Sequence, residues 1–329
     1  MRLLPVLLTM CISLSSFAFP RIDIVLDLDD LLIFLMPERV DEDATHLNVV
    51  LPPPAGEVSY RVADGAAAFI RSFEFLPADV HVSFHSTGFA GRNTGVLAKL
   101  IIDPLLRLSA LELADRVLSR NHIGETALKY HSQPHEGGLD PAIFPEADRG
   151  NAKKDLSMIE GLDLSYALLL DDYNRSALAH QRFNLFWLPD PFGEDFWEKW
   201  SVTKKPVYLE SIDHIIRSHV RAGDETGAKE VARRYFHFRN RLAFARGLLQ
   251  RIVEEAKKTS ATLDQVVEQM LWVKKGDQYF LNRELWNDYS IYRMGRSFIR
   301  RADPRFQLYK IEVDGIRYPD CSDEVTDPV

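Results

Sequence analysis

The chain has 329 residues, 46% of them hydrophobic and 27% charged, a composition typical of a globular protein that can bury a core. That length predicts one large or two ordinary domains. The formal net charge of −8 at pH 7 argues against a protein that coats nucleic acid, which would usually be basic.

The first residues have the pattern of a secretory signal peptide. Arg2 precedes an apolar run, and Ser16-Phe17-Ala18 places small residues at both positions that determine cleavage. We therefore predict a signal peptide over residues 1–18 and an exported protein, either periplasmic or secreted. A buried N-terminal helix or strand is the alternative. The run is short for a membrane span and contains serines, so we expect no stable membrane insertion after cleavage.

An apolar run at residues 22–26 leads directly into three carboxylates, Asp27, Asp29 and Asp30. Such a run, mostly apolar and rich in β-branched residues, predicts a buried strand of a parallel sheet. Open α/β sheets bind ligands at the carboxyl ends of their strands. Three crowded negative charges also favour a nearby cation. This stretch therefore predicts a site for Mg²⁺-dependent phosphoryl transfer.

The segments that follow predict a short excursion and two helical regions. Residues 33–60 are expected to form a loop or small hairpin. Asp64 is a candidate helix N-cap for a helix over residues 66–75. Helical periodicity also covers residues 96–118, with an interruption at Pro104.

A second strand is predicted over residues 80–84, followed by the turn His85-Ser86-Thr87-Gly88. Hydroxyl groups beside a glycine suit a backbone that approaches a ligand closely, although a plain turn is an equal alternative. The loop that follows contains His131 and His135 at metal-like spacing. Because no third ligand adjoins them, exposed loop histidines are the better interpretation.

The pattern of the first strand is repeated at residues 164–170, where an apolar run ends in Asp171-Asp172. Two strands that each end in acids, with helices between them, predict that both acid clusters meet at one edge of a parallel sheet. A further strand is predicted over residues 184–188.

The remainder of the chain is predicted to be mostly helical, with a hairpin turn at residues 313–316. The helices are expected at residues 209–221, 225–258, 262–272 and 283–300. A group of arginines is interpreted as a solvated face paired with Glu225, Glu230 and Glu254, with a binding patch as the alternative. Its members are Arg233, Arg234, Arg239, Arg241 and Arg246.

The ordered set Asp27-x-Asp29, Ser86, Lys154 and Asp171-Asp172 resembles the four motifs of the haloacid-dehalogenase-like superfamily. Within that superfamily, residues 25–32 resemble the DLDETL signature of the phosphatases that act on the RNA polymerase tail and of their NLI-interacting-factor-like relatives. Residues 154–173 are similar to the KDLS…LS…VDDS block of the same group. The resemblance covers roughly residues 20–190. The sequence departs from the family at Asp30-Leu31, where the family has Glu-Thr. It also departs at His85-Ser86-Thr87, where the family has Phe-Thr-Ala. The second departure leaves open whether Ser86 or Thr87 supplies the hydroxyl.

The resemblance implies an α/β fold with a doubly wound parallel sheet, haloacid-dehalogenase-like and Rossmann-type, and the sequence pattern adds a C-terminal mostly helical region. Together with the sequence patterns, it predicts a signal peptide at 1–18, a haloacid-dehalogenase-like phosphatase domain at 19–200, a mostly helical extension at 201–319 and a flexible tail at 320–329.

The resemblance also implies an enzyme that hydrolyses phosphomonoesters with Mg²⁺ as cofactor. Asp27 would attack phosphorus and form an aspartyl-phosphate, and Asp29 would act as acid and base. Ser86 would contact a phosphoryl oxygen, and Lys154, with Lys153 as the fallback, would neutralise charge. The implied metal ligands are Asp27, Asp29 through its carbonyl, Asp172 and Asp171, and the alternative role of Asp171 is to hold Lys154 or a metal-bound water.

The expected substrate is a phosphorylated protein side chain. The short excursion between Asp29 and Ser86 leaves little sequence for a large cap, and an open site would admit such side chains. An exported phosphatase of nucleotides or sugar phosphates and an inactive phosphatase-like binding protein are the alternatives. Residues 201–329 are expected to form a lid or to bind a partner. No nucleic-acid partner is expected.

Overall fold

A computed structural model describes residues 19–36, 38–43, 45–51, 56–88, 90–119, 154–173, 176–192, 209–276 and 278–319. The strands are β1 (Ile22–Leu26), β2 (Ile33–Leu35), β3 (His46–Val50), β4 (Glu57–Val62), β5 (Val80–His85), β6 (Ile101–Asp103), β7 (Leu108–Ser109), β8 (Arg116–Leu118), β9 (Ala167–Asp171), β10 (Leu185–Trp187), β11 (Trp272–Lys275), β12 (Gln278–Leu281), β13 (Ile311–Val313) and β14 (Ile316–Tyr318). The α-helices are α1 (Ala66–Arg71), α2 (Ala90–Lys99), α3 (Ala110–Leu113), α4 (Leu209–Arg221), α5 (Glu225–Arg239), α6 (Arg241–Thr259), α7 (Leu263–Leu271) and α8 (Tyr289–Ala302). The predictions at residues 1–18 and 320–329, at His131 and His135, and at Lys153 lie outside the described residues.

A five-stranded parallel sheet in the order β10-β9-β1-β5-β8 forms the centre of the fold. Every residue of β1 is buried, as expected for a strand covered on both faces. Ile24 and Leu168 belong to the hydrophobic cluster that also contains the C-terminal helices, whereas Val25 and Leu169 pack on the opposite face with Leu156. The predicted α/β class, with a parallel sheet and a helical C-terminal region, is therefore confirmed.

The excursion after β1 is larger than the expected loop or small hairpin. β2, β4 and β3 form a separate antiparallel sheet of three strands, with β4 in the centre. In its interior, Ser59 donates to the Asn48 side chain at 2.7 Å. This small sheet packs against α2 and brings Tyr60 towards the carboxyl edge of the central sheet.

The prediction of a helix over residues 96–118 was correct up to Lys99 and again in the short helix α3, and wrong for the rest of the segment. Pro104 lies in a turn between β6 and β7, and the last residues of the segment form β8, which pairs with β5 at the edge of the sheet. Backbone pairing with an existing sheet edge overrode the local helical periodicity. Asp64 is also not the predicted N-cap. Gly65, with φ of 76°, occupies that position without a side-chain cap, and Asp64 instead pairs with Arg239.

The predicted helix over residues 225–258 is two helices that meet at Asn240. The Asn240 amide donates to the carbonyl oxygens of Phe236 at 2.9 Å and Tyr309 at 3.0 Å, which fixes the corner between α5 and α6. The segment predicted as a helix over residues 283–300 begins as a 3₁₀ turn before α8. The predicted hairpin turn between β13 and β14 is confirmed, with positive φ values of 47° at Asp314 and 85° at Gly315.

The interpretation of the arginines as a solvated face was wrong for two of the five, Arg241 and Arg246. Arg233 and Arg234 do pair with Glu230, at 2.8 and 2.7 Å. Arg241 and Arg246, however, are buried because α6 is the central helix of the C-terminal region.

None of the described helices has the length and apolar character needed to cross a membrane.

Candidate active site

The carboxylates predicted from the two acid-ended strands do lie together. β1 and β9 are neighbours, and the amide of Asp27 donates to the Leu170 carbonyl at 2.9 Å, so both strands end at the same level. Asp27, Asp171 and Asp172 each offer an oxygen within 4.8 Å of the others. Parallel strands place their carboxyl ends at one edge of a sheet, which is why Asp27 becomes a neighbour of the distant pair Asp171 and Asp172.

Lys154 lies among these acids. Its Nζ is 2.8 Å from Asp27 Oδ1 and 2.5 Å from Asp171 Oδ2, and all three side chains are buried. The backbone holds it there, because its amide donates to the Ser176 carbonyl at 2.6 Å. Burial alone would lower the pKa of Lys154, but the two carboxylates outweigh it and hold this pKa above its ordinary value. The lysine is therefore a fixed cation beside Asp27.

One lysine does not neutralise this cluster. Burial is the largest influence on Asp27, and the charges of Asp171, Asp29 and Asp172 act with it to raise the pKa of that carboxyl well above its ordinary value, against Lys154. Hard carboxylate oxygens at this spacing suit a divalent cation, and Mg²⁺ in particular prefers oxygen ligands. The donor set therefore fits the cofactor implied by the sequence.

Asp171 and Asp172 differ in their surroundings. Asp171 Oδ2 accepts from Lys154, and its Oδ1 accepts from the amide of Tyr173 at 2.8 Å, so both of its oxygens are used to hold protein groups. The Asp172 carbonyl accepts from the Trp187 indole at 2.9 Å. The contacts of Asp171 therefore suit the role of holding Lys154, which is one of the two alternative roles given for this residue above.

Asp29 lies on a tightly folded loop after β1. The amides of Leu32 and Ile33 both donate to the Leu28 carbonyl at 3.0 Å, and Leu28, Leu31 and Leu32 are fully buried. Asp30 takes a positive φ of 55° within this loop. The buried leucines anchor the loop and leave the Asp29 side chain 41% exposed.

Asp29 is held by Ser86 and by an arginine that the sequence analysis missed. Ser86 Oγ donates to Asp29 Oδ2 at 2.9 Å, and Arg92 Nη1 donates to the same oxygen at 2.9 Å while Nη2 pairs with Oδ1. Arg92 is in turn held by the Tyr60 hydroxyl at 3.2 Å. The Gly88 amide donates to Ser86 Oγ at 3.2 Å. The only sequence signal for Arg92 was its place in the first turn of the helix after the Ser86 turn.

Arg241, at the start of α6, supports the same loop from behind. Its Nη2 donates to the Leu31 carbonyl at 2.8 Å, and its guanidinium lies over the Phe34 ring at 4.8 Å. Burial lowers the pKa of Arg241, and the charges of Asp172, Asp30, Asp190 and Asp27 oppose that effect. A residue of the C-terminal region thus contributes positive charge behind the carboxylate cluster.

Solved structures, but no sequence family, show a likeness to this chain. No family model matches the chain, and no curated protein matches it. It is similar to the solved structure of the fission yeast RNA polymerase II CTD phosphatase Fcp1 in a variant form bound to beryllium fluoride, with 16% identity, a TM-score of 0.40 and coverage of 76% of this chain and 71% of that one. It is also similar to a second structure of Fcp1, an essential RNA polymerase II CTD phosphatase, with 15% identity, a TM-score of 0.42 and coverage of 76% and 70%. A likeness this distant does not transfer an activity.

Proposed function

We propose that this protein is a Mg²⁺-dependent phosphatase that hydrolyses phosphomonoesters through an aspartyl-phosphate on Asp27. The observation that carries the proposal is the group formed by Asp27, Lys154 at 2.8 Å and the neighbouring Asp171 and Asp172. It combines a nucleophile, a fixed cation and a set of oxygen ligands, which phosphoryl transfer requires.

In the first half of the reaction, an oxygen of Asp27 attacks phosphorus and the bond from phosphorus to the ester oxygen breaks. Lys154 stabilises the negative charge that gathers around the phosphoryl group, and Asp171 keeps that lysine in place. Asp29 gives its proton to the departing ester oxygen, which leaves as an alcohol. Mg²⁺, when bound by Asp27 and Asp172, would neutralise the phosphoryl oxygens.

In the second half, Asp29 takes a proton from water, which attacks the phosphorus of the aspartyl-phosphate. The bond to Asp27 breaks, inorganic phosphate leaves, and Asp29 regains the proton that it gave to the ester oxygen in the first half. Ser86 Oγ donates to Asp29 at 2.9 Å, and on substrate binding it would turn and donate to a phosphoryl oxygen instead.

The pairing of Asp29 with Arg92 has to open before Asp29 can carry a proton to the substrate. A phosphoryl group is a natural competitor, because a guanidinium binds phosphate through the same pair of N–H groups that it offers to a carboxylate. Arg92 would then contact the entering phosphoryl group and release Asp29 in one exchange of partners.

The substrate we propose is a phosphorylated side chain of a protein, and the place of action is outside the cytoplasm. The exposure of Asp29 supports a site open to a protein segment. Mass spectrometry of the mature N-terminus tests the location: a start after Ala18 supports export, and a start at Met1 contradicts it.

Hydrolysis of p-nitrophenyl phosphate by the purified protein, with and without Mg²⁺, tests the proposed activity. Asp27→Asn should abolish Mg²⁺-dependent hydrolysis. The matched control is Asp23→Asn, the same change at the opposite end of β1, because Asp23 is buried but paired with Arg21 at 2.5 Å and lies away from the carboxyl edge. Full activity in the Asp27→Asn protein would refute the nucleophile.

A further inference from the structure

A large groove lies beside the candidate site, between the edge strand β10 and the hairpin formed by β11 and β12. It encloses about 940 Å³. It is lined by Arg182, Trp187, Trp272, Lys275, Tyr279 and Arg283, among others. We propose that this groove binds acidic residues that flank the phosphorylated residue of an extended peptide, an inference that rests on the proposed phosphatase function.

One end of the groove meets the carboxylate cluster. Trp187 pairs in register with Asp171 across the two neighbouring strands, and its indole donates to the Asp172 carbonyl at 2.9 Å. The groove extends from there to Arg182, on the 3₁₀ turn that precedes β10. An extended segment of five residues covers roughly 17 Å. A peptide whose phosphorylated side chain is at Asp27 can therefore place its neighbouring residues in the groove.

The charges of the groove favour an acidic occupant. Arg182, Lys275 and Arg283 are all exposed, and none makes an ion pair with a carboxylate among the residues that the structure describes. Glu284 is the acid on the same lining. In a chain with a net charge of −8, exposed cations elsewhere commonly have partners, as Lys229 has in Glu225 at 2.7 Å. Cations gathered without such partners form a surface complementary to negative charge.

The same lining offers apolar surface between the cations. Trp187 stacks on Trp272 with ring centroids 6.1 Å apart and an interplanar angle of 15°, and Tyr279 packs on Phe183. Phe280 is 44% exposed on the hairpin. Aromatic residues mixed with cations are typical of protein-recognition surfaces. A peptide with acidic and apolar residues matches this lining, and the negative charge of the whole chain disfavours a nucleic acid.

A triple variant, Arg182→Gln with Lys275→Gln and Arg283→Gln, tests the proposal. The wild type should hydrolyse a phosphoserine peptide with acidic flanks with about tenfold higher kcat/KM than one with neutral flanks, which corresponds to about 1.4 kcal/mol. The variant should lose this preference and keep its rate with p-nitrophenyl phosphate, which does not reach the groove.

The matched control carries three changes of the same kind on exposed cations outside the groove. It combines Lys229→Gln, Lys258→Gln and Arg305→Gln, which are 59%, 75% and 93% exposed. Its net charge equals that of the groove variant, so it should keep the preference for acidic flanks. If both triple variants lose the preference equally, or if neither does, the groove is not the docking site.

Binding of the same acidic peptide without its phosphate separates this proposal from the phosphatase function. It should change the tryptophan fluorescence of the wild type, and the groove variant should bind it about tenfold more weakly. If the wild type shows this binding but hydrolyses no phosphate ester, the groove proposal stands and the proposed function fails. If the peptide does not bind, or if a single-stranded oligonucleotide binds the groove more tightly, the proposal is overturned.

Discussion

Replacing Arg241 with methionine tests whether the C-terminal helices take part in the chemistry of the site. Methionine is apolar and of comparable length, but it cannot donate to the Leu31 carbonyl, which Arg241 Nη2 reaches at 2.8 Å. The change also removes the positive charge behind Asp27 and Asp172. The loop that carries Asp29 would lose its support from α6.

The expected loss of activity follows from that hydrogen bond. A hydrogen bond from a charged group contributes about 1.5–3 kcal/mol. If the bond is needed to hold Asp29 in the transition state, kcat/KM should fall by about 10- to 100-fold. The effects of the change on stability partly cancel, because removal of a buried charge favours the folded state and loss of a partner for the Leu31 carbonyl disfavours it. We expect the free energy of unfolding to change by less than about 2 kcal/mol.

The assay is kcat/KM for p-nitrophenyl phosphate as a function of pH, with urea unfolding of the same proteins. Arg246→Met is the matched control, since Arg246 is a fully buried arginine of the same helix that donates to Ser72. Without the charge of Arg241, ionisation of the nearby carboxylates is less favoured, so the acidic limb of the pH profile should move to higher pH. If Arg241→Met and Arg246→Met give the same kcat/KM and an acidic limb at the same pH, Arg241 stabilises the fold but has no specific effect on the active site.

Three further changes have expected outcomes. Arg92→Gln removes the partner of Asp29, and kcat/KM should fall by about tenfold in steady-state kinetics. A kcat/KM equal to or above that of the wild type would contradict the proposal that Arg92 exchanges Asp29 for the phosphoryl group. Burial lowers the pKa of His237 from 6.5 to about 3. As pH falls below 6.5, the unfolded chain binds a proton that the folded chain does not, so about 2 kcal/mol of stability should be lost by pH 5. Urea unfolding should show that His237→Phe removes this part of the pH dependence; parallel curves for the two proteins would exclude it. Gly295→Ala should destabilise the protein by about 3 kcal/mol or more, because an added Cβ would lie 1.7 Å from the Ala243 carbonyl oxygen at the crossing of α8 and α6. A thermal midpoint equal to that of the wild type would show that the helices can separate at no cost.

The parts of the site that could be predicted from sequence are those set by local patterns. An apolar strand followed by acids occurs twice, at Asp27 and at Asp171, and parallel pairing is enough to bring both to one edge. Asp314-Gly315 specifies its turn because few residues other than glycine, asparagine and aspartate readily accept positive φ. Lys154 carries no local signal of its own and could be selected only through the resemblance of its surrounding block.

The residues that sequence reasoning missed act across long separations. Arg241 binds the carbonyl of Leu31, which lies 210 positions earlier in the chain. Arg92 reaches Asp29 only after the three-stranded sheet and α2 have come together. Arginines usually lie on surfaces, so a run of them in a helix was reasonably interpreted as solvated. Which of them become buried depends on helix packing, which the periodicity of one helix does not reveal.

Mass spectrometry of the acid-quenched protein during turnover tests most directly whether Asp27 becomes covalently phosphorylated. We predict a phosphoryl adduct on the peptide that contains Asp27, formed with Mg²⁺ and p-nitrophenyl phosphate and absent from the Asp27→Asn protein. Turnover in the wild type with no adduct on this peptide, or with the adduct on another residue, would contradict the account.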